Sequence, residues 1–175
     1  GTIGLALDVN QCKISENSEL QIKGRNVFLG YYKNHKLYQE VVKDGWFSTG
    51  DIVSYENNKY VYKDRAKDLI IKGGINIVPA ELEEILYTHP SVQEAVVVGI
   101  SHDIHGEDII SAVTLKEELS DQESIKSELY GLLSQKLSSY KHPVDIIFLE
   151  TLPKTHSGKL KRKEVRRILD NHDCR

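Results

Sequence analysis

The sequence predicts an α+β protein in two parts: a β-rich first third, then a small domain in which helices pack on a short sheet. Up to residue 64, apolar and polar side chains alternate between turn signals, which is the pattern of half-buried strands. Beyond residue 64, helical patterns alternate with short, strongly apolar strand patterns. The first part offers a single short helical candidate, at residues 35–42.

The composition is that of an ordinary globular protein. The 175 residues are 39% hydrophobic and 28% charged, with a net charge of −3, which favours neither nucleic-acid nor membrane binding. No apolar run approaches the roughly 18 residues of a spanning helix, and no signal-peptide pattern is present. Cys12 and Cys174 are too few for a disulfide framework, so we expect free thiols in a reducing compartment, the cytoplasm. Because the chain begins at Gly1 and contains no Met, we expect a fragment of a longer protein.

In the first part, turn-forming residues separate the predicted strands. Glu19–Lys23 alternates as a half-buried strand, and we expect Asn26–Tyr32 to continue as a second one. Asp44-Gly45 is a turn signal directly before Trp46. Asn57-Asn58 separates two strand patterns, and since Asn tolerates positive φ, we expect a hairpin there.

In the second part, helix-start residues and apolar strand patterns mark the predicted elements. Pro79 suits the first turn of a helix, and the acids that follow it complement the helix dipole. Val92–Ser101 and Ile109–Leu115 are predicted as neighbouring strands. Ser120–Glu123 is a capping box that opens a second helix. The buried stripe predicted for that helix is Ile125, Leu129, Leu132, Leu133 and Leu137.

The chain closes with a strand, a loop and a helix. Val144–Leu149 is predicted as the third strand, and a loop follows from Thr151 to Gly158. Lys161–Leu169 is predicted as the last helix, whose inward side chains are Val165, Ile168 and Leu169. We expect the helices of this second part to cover one face of the sheet.

Three segments carry candidate chemistry. In Asp44–Asp51, the carboxylate of Asp51 can accept hydrogen bonds from two vicinal hydroxyls, as on a ribose; alternatively it caps its own backbone. In Asp64–Glu84, Gly73-Gly74 permits close approach of a ligand to the backbone, or forms an ordinary hairpin. Lys154–Lys159 resembles a phosphate loop but departs from the P-loop template at both ends. Lys159 is then either a mobile charge for phosphate oxygens or a solvated surface lysine.

Taken together and in this order, these segments resemble the late motifs of the adenylate-forming superfamily, which comprises acyl- and aryl-CoA ligases, firefly luciferase and the adenylation domains of peptide synthetases. The resemblance covers essentially the whole chain. Further matching segments are Gly24–Tyr32, His89–Val92, Glu94–Gly99, Tyr140–Pro143 and Leu152–Thr155.

The resemblance implies a role for each matching residue. Asp51 would bind the ribose hydroxyls of the nucleotide, with Arg65 on the other side. Lys67 would be the hinge about which the C-terminal domain swings. Lys159 would bridge the substrate carboxylate and the α-phosphate during adenylation, and Gly73-Gly74 would line the pantetheine tunnel.

It also implies an organisation and a reaction. Residues 1–64 would be the β-rich tail, a distorted barrel, of a large AMP-binding domain, and residues 65–175 the mobile C-terminal domain. With ATP, Mg²⁺ and CoA, the whole enzyme would convert a carboxylic acid to an acyl-adenylate and then to a thioester, whereas this fragment alone would be inactive. Two alternatives stay open: transfer to an acyl carrier protein or peptide-synthetase carrier domain, and a non-catalytic interaction module. The sequence leaves fatty, aryl and short-chain acids equally open.

Two other clusters have simpler explanations. His102, His105, Glu107 and Asp108 match no known metal-ligand spacing and are predicted to be a polar loop between strands. The basic run 159–167 lacks interleaved aromatics, and the chain is acidic. We therefore expect a solvated helix face, able to meet CoA phosphates or an acidic carrier, rather than a nucleic-acid site.

Overall fold

The computed structural model describes residues 2–117 and 121–170. They fall into two compact units that divide between Lys67 and Asp68. Among the described helices, none combines the length and apolar character needed to cross a membrane.

The first unit is a curled, half-barrel antiparallel sheet with one short helix. The sheet order is β1-β6-β5-β3-β2, and β4 pairs with β5. The strands are β1 (Thr2–Gly4), β2 (Asn10–Ile14), β3 (Glu19–Gly24), β4 (Val42–Lys43), β5 (Trp46–Glu56) and β6 (Lys59–Arg65), and the helix is α1 (His35–Val41).

Both predicted turns of this unit are confirmed. Asp44 and Gly45 have φ of 53° and 80° and join β4 to β5, with Lys43 opposite Trp46. Asn57 and Asn58 have φ of 49° and 60° and join β5 to β6. Two consecutive residues with positive φ match the right-handed twist of an antiparallel pair, which is why these residue types mark the hairpins.

The predicted strand at Asn26–Tyr32 is wrong, because the segment is a loop. The chain turns after Gly24, where β3 ends. The ring of Phe28 then packs edge-on against Phe47, with 5.3 Å between ring centroids, while Leu29 is 98% exposed. Aromatic packing by one side chain, and not pairing with a neighbouring strand, therefore holds this segment.

The second unit is a mixed sheet with helices. β10 lies at its centre, antiparallel to β9, parallel to β11 and in contact with β7 at Gly106; β8 pairs with β7. The strands are β7 (Ile70–Lys72), β8 (Ile75–Ile77), β9 (Val92–His102), β10 (Gly106–Leu115) and β11 (Asp145–Phe148). The helices are α2 (Pro79–Leu86), α3 (Gln122–Lys136) and α4 (Arg162–Asp170).

The helix starts follow the sequence signals. Pro79 lies in the first turn of α2, where a missing N–H costs nothing. The carboxylate of Asp121 caps α3 by accepting a hydrogen bond from the N–H of Ser124, 3.3 Å away. The hydroxyl half of the predicted capping box, Ser120, lies outside the described residues.

Helices cover both faces of this sheet, so the prediction of a single covered face is wrong. Alternate residues of β10 point to opposite faces, and both sets are fully buried: Ile109 and Val113 belong to one core, Ile110 and Ala112 to the other. The first core is closed by α2 and α3 and the second by α4. A strand that is apolar on both sides needs cover on both sides.

One of the inward side chains predicted for the last helix, Ile168, is wrong. Val165 and Leu169 of α4 are fully buried, as predicted, whereas Ile168 is 37% exposed and does not point inward. Residues four apart on a helix share a face, and Ile168 lies at the margin of the face that Val165 and Leu169 define.

A buried histidine, His89, follows the end of α2 and contacts α3. The Nε2 atom of His89, whose side chain is 5% exposed, lies 2.9 Å from Oε2 of Glu128 on α3. Hydrogen bonds from His89 and then Ser124 lower the pKa of the Glu128 carboxyl below its ordinary 4.5. A carboxyl whose pKa is depressed in the folded state stabilises the fold above its unfolded pKa and stops doing so as pH falls through its folded pKa.

We therefore expect Glu128→Gln to lower the melting temperature at neutral pH, and the difference from wild type to vanish in acid. Thermal unfolding followed by circular dichroism between about pH 3 and 7 measures it. Glu84→Gln, an exposed change in the interior of α2, is the control. A difference independent of pH would contradict the role of the charge.

Candidate functional site

The first unit brings Asp51 and Arg65 together on neighbouring strands. The two residues are direct partners in the β5–β6 pair, and Nη1 of Arg65 lies 2.9 Å from Oδ1 of Asp51. The same guanidinium nitrogen donates to the carbonyl of Thr49, 3.2 Å away. The Asp51 side chain is 27% exposed and that of Arg65 50%, so both keep hydrogen-bonding capacity toward a ligand.

A β-bulge decides this pairing. From the Asn57-Asn58 turn, the ladder runs in simple register as far as Val53 opposite Tyr62. Continued unchanged, it would place Asp51 opposite Asp64, but the register shifts by one between Ile52 and Val53. The extra residue on β6 turns Arg65 toward Asp51, so that a carboxylate faces a guanidinium and not a second carboxylate.

The backbone on the N-terminal side of Asp51 is held by a small polar network. The hydroxyl of Thr49 donates to the carbonyl of Leu20 (2.8 Å) and accepts from the N–H of Asp51 (3.1 Å). The N–H of Gly50 donates to the carboxylate of Glu19 at 2.8 Å, and Gly50 has a φ of 74°. These contacts bend β5 just before Asp51. The Asp51 carboxylate pairs with the guanidinium of Arg65, and the backbone N–H of Asp51 donates to the hydroxyl of Thr49.

Lys67 lies in a single 3₁₀ turn, Ala66–Asp68, that follows β6 directly. The division of the chain into two units falls immediately after it. The Lys67 side chain is exposed.

In the second unit, Gly73 and Gly74 form the turn of the tight hairpin between β7 and β8. Their φ values are 57° and 80°, a conformation that favours glycine at both places. A Cβ atom added at either position would meet no heavy atom within 4 Å. The N–H of Gly73 donates to the carbonyl of His105, which ties this hairpin to the β9–β10 turn. The backbone of the hairpin turn is therefore accessible, while a hydrogen bond to the β9–β10 turn holds the hairpin in position.

Lys159 lies in a loop that closes on itself. Lys154 and Leu160 form an isolated antiparallel bridge. Within it, the N–H of Thr155 donates to the carbonyl of Lys159 (2.8 Å), and the N–H of Lys159 donates to Oγ1 of Thr155 (3.1 Å). The Lys159 side chain is exposed and makes no ion pair with any residue in the described ranges. Its charge is therefore carried on an ordered backbone and remains available to a ligand.

An ion pair between Glu83 and Arg162 is not predicted from the sequence. Among the acids expected to complement the dipole of α2, Glu83 is instead buried, and both its oxygens face the guanidinium of Arg162. The helical period contained a signal, because position 83 falls on the same face as Pro79 and Leu86, which are both buried. A carboxylate on an apolar face requires a partner.

The polar cluster at residues 102–108 and the basic run 159–167 make contacts within the second unit. The rings of His102 and His105 stack 4.8 Å apart, and Nζ of Lys72 lies 2.7 Å from Oδ1 of Asp108. Within residues 2–117 and 121–170, no group of three or more His, Cys, Asp or Glu could hold a metal ion. Several cations of the basic run are paired inside the unit, namely Lys161 with Glu164, Arg162 with Glu83 and Arg166 with Glu107.

Of the two cysteines, Cys12 is half-buried in β2 and has no disulfide. Burial raises the pKa of its thiol, which disfavours the reactive thiolate. Cys174 lies outside the described residues.

Residues 81–159 match the family described as AMP-binding enzyme C-terminal domain. The chain belongs to the adenylate-forming superfamily, of the acyl- and aryl-CoA ligase type, and carries its C-terminal domain. The resemblance inferred from the motifs is thereby confirmed.

Particular relatives support the assignment. The chain is 40% identical over 163 residues to the mitochondrial medium-chain acyl-CoA ligase ACSF2 of Rattus norvegicus, covering 91% of this chain and 26% of that protein. It is 39% identical over 153 residues to the 2-succinylbenzoate–CoA ligase of Bacillus cytotoxicus, covering 87% of this chain and 31% of that protein.

The fold has solved counterparts. The o-succinylbenzoate CoA synthetase MenE of Bacillus subtilis, in complex with its acyl-adenylate intermediate OSB-AMP, superposes with a TM-score of 0.82 and 31% identity. The match covers 95% of this chain and 35% of that one. The predicted α+β class, with a β-rich subdomain and a small second domain, is confirmed. The chain spans about a quarter to a third of the relatives it matches.

Proposed function

We propose that this chain acts as the C-terminal part of an ATP-dependent, AMP-forming acid–thiol ligase. In the first half-reaction, a substrate carboxylate oxygen attacks the α-phosphorus of ATP and pyrophosphate leaves. In the second, the thiol of CoA attacks the acyl carbon, loses its proton, and AMP leaves. The observation that carries the proposal is the ion pair of Asp51 and Arg65, in a chain whose relatives are named as CoA ligases.

In this proposal Asp51 and Arg65 hold the nucleotide. One oxygen of Asp51 faces the guanidinium, and the partly exposed carboxylate retains acceptor sites for the two ribose hydroxyls. Arg65 keeps Asp51 in place and contributes positive charge near the phosphates. The bulge and the Thr49 network support this role because they hold the carboxylate before the nucleotide arrives.

Lys159 supplies the electrostatic part of adenylation. Displacement at phosphorus depends on positioning and on stabilising the charge that redistributes in the transition state. The ammonium of Lys159 would lie between the attacking carboxylate and the α-phosphate, where its charge counts most in the transition state. This role for Lys159 is supported by its exposed side chain, which lies on a hydrogen-bonded loop.

The second half-reaction uses the Gly73-Gly74 hairpin, whose open backbone would line the path of the pantetheine arm. Rotation of the chain near Lys67 would exchange the two faces of the second unit between the half-reactions. Mg²⁺ would be held mainly by the nucleotide and by a region outside this chain.

The acceptor proposed is CoA, since the relatives named above are CoA ligases. An acyl carrier protein and a non-catalytic module remain the other outcomes of the test. The cytoplasmic location is proposed from the cysteine count, and the half-buried Cys12 thiol is compatible with it.

The test is an assay of the full-length protein that contains this chain, with a panel of medium-chain, long-chain and aromatic acids. We expect acid-dependent release of pyrophosphate, followed by AMP and a thioester when CoA is added. Replacing CoA with a phosphopantetheinylated carrier protein identifies the acceptor. The isolated chain is expected to be inactive, so acyl-adenylate synthesis by it alone, or no acid-dependent pyrophosphate release by the full-length protein, would contradict the proposal.

Gly74→Ala is expected to slow thioester formation about tenfold while changing acyl-adenylate formation less than about twofold. The added methyl group enters open space but forces a non-glycine residue to a φ of 80°, which costs about 1 kcal/mol and displaces the hairpin. The two half-reactions are measured separately, the second from supplied acyl-adenylate. Gly131→Ala on α3, where a Cβ also meets nothing, is the matched control. An equal fall in both rates would contradict the assignment.

A further inference from the structure

The Glu83–Arg162 ion pair connects three elements of the second unit. Nη1 and Nη2 of Arg162 lie 2.5 and 2.8 Å from Oε1 and Oε2 of Glu83, a bidentate contact from the start of α4 to α2. The two side chains are 24% and 11% exposed. A bidentate pair of this kind fixes the orientation of both groups as well as their separation.

The same pair is attached to the edge of β9. The N–H of Val97 donates to Oε1 of Glu83 at 2.7 Å, and its carbonyl accepts from Nη1 of Arg162 at 2.9 Å. Among the described strands, β9 pairs only with β10, so its other edge carries no strand. Glu83 and Arg162 therefore satisfy backbone groups that a further strand would otherwise bind.

Arg162 follows Lys159 by three residues and lies where its loop enters α4. The N–H of Lys161 donates to the carbonyl of Pro153 at 2.9 Å, which joins the two ends of the loop. At the first end, Nζ of Lys154 lies 2.7 Å from Oε1 of Glu94, also on β9. Both ends of the Lys159 loop are thus attached to one strand, β9, the second through a buried bidentate contact.

We propose that Glu83 and Arg162 are positioning residues for Lys159, and that they act on adenylation and not on thioester formation. The inference rests on the proposed function, in which Lys159 serves the first half-reaction. A misplacement of about 1 Å at a reacting centre costs on the order of 100-fold in rate. Lysine at position 162 keeps the charge but cannot span both Glu83 oxygens and the Val97 carbonyl.

The experiment compares Arg162→Lys and Glu83→Gln with wild type in the full-length enzyme. We expect each variant to lower the rate of acyl-adenylate formation about 10- to 100-fold, chiefly in kcat. Thioester formation from supplied acyl-adenylate should stay within about twofold, and it also reports that the variant is folded. Lys126→Met, which removes the ion pair between α3 and Asp145, is the control for loss of an ion pair elsewhere in the unit.

Lys159→Ala measured in parallel separates the two claims. If it leaves adenylation intact, the proposed function fails. If it lowers adenylation while Arg162→Lys and Glu83→Gln do not, the positioning role is overturned and the function stands. An equal fall in both half-reactions, or failure of both variants to fold, assigns the pair to stability alone and also overturns the inference.

Discussion

Lys159→Ala in the full-length enzyme is expected to lower the rate of acyl-adenylate formation by about 100- to 1,000-fold, the scale for losing one preorganised charge at a developing anion. The ammonium is exposed, on a loop whose backbone is closed by its own hydrogen bonds, so the change removes a charge and little packing. Pyrophosphate release in the presence of acid and ATP measures this rate.

Thioester formation from supplied acyl-adenylate should change less than about threefold in the same variant, because the proposed function assigns that step to the other face of the second unit. Lys136→Ala, an exposed lysine in the last turn of α3, is expected to behave as wild type. Comparable losses in both half-reactions would show that Lys159 is not specific to adenylation.

Asp51→Ala is expected to raise the KM for ATP about 100-fold, since the two charge-assisted hydrogen bonds proposed to the ribose would contribute about 3 kcal/mol together. The change also leaves the guanidinium of Arg65 without its carboxylate. Asp51→Asn, which keeps one acceptor oxygen, should raise the KM about tenfold. Initial rates at varied ATP, with acid and CoA saturating, measure both values.

Glu56→Gln provides a matched control on the same two strands. Glu56 on β5 pairs with Lys63 on β6 at 2.9 Å, but both side chains are largely exposed, and such pairs contribute little. Its KM for ATP should stay within about twofold of wild type. If Asp51→Ala leaves the KM for ATP unchanged, Asp51 does not bind the nucleotide.

Local chemistry determined the elements that the sequence predicted correctly. Asp44-Gly45 and Asn57-Asn58 encode their hairpins because each residue pair itself adopts the positive φ that the turn requires. Pro79 encodes the start of α2 because it acts on the first turn of its own helix. The start of α3 is predicted to within one residue, since its N-cap is Asp121 and the capping box places it at Ser120. The candidate site residues were recognisable through short motifs whose order along the chain is specific to one superfamily.

Tertiary structure decided what depends on a distant partner. The apolar pattern at Asn26–Tyr32 is compatible with a strand and also with a loop held by one aromatic side chain. The folded segment is a loop, in which Phe28 packs against Phe47. Which faces of the second sheet are covered depended on where α4 packs, because β10 is apolar on both sides.

The sequence by itself determined the two turns, because each depends on a few neighbouring residues, and the superfamily and candidate charges, because the order of short motifs along the chain is specific. Only the folded chain decided which charges meet. A one-residue bulge places Arg65, and not Asp64, opposite Asp51, and burial of α2 against the edge of β9 gives Glu83 its partner in Arg162. Register and long-range pairing lower the free energy only once the sheets exist, so no local pattern can specify them.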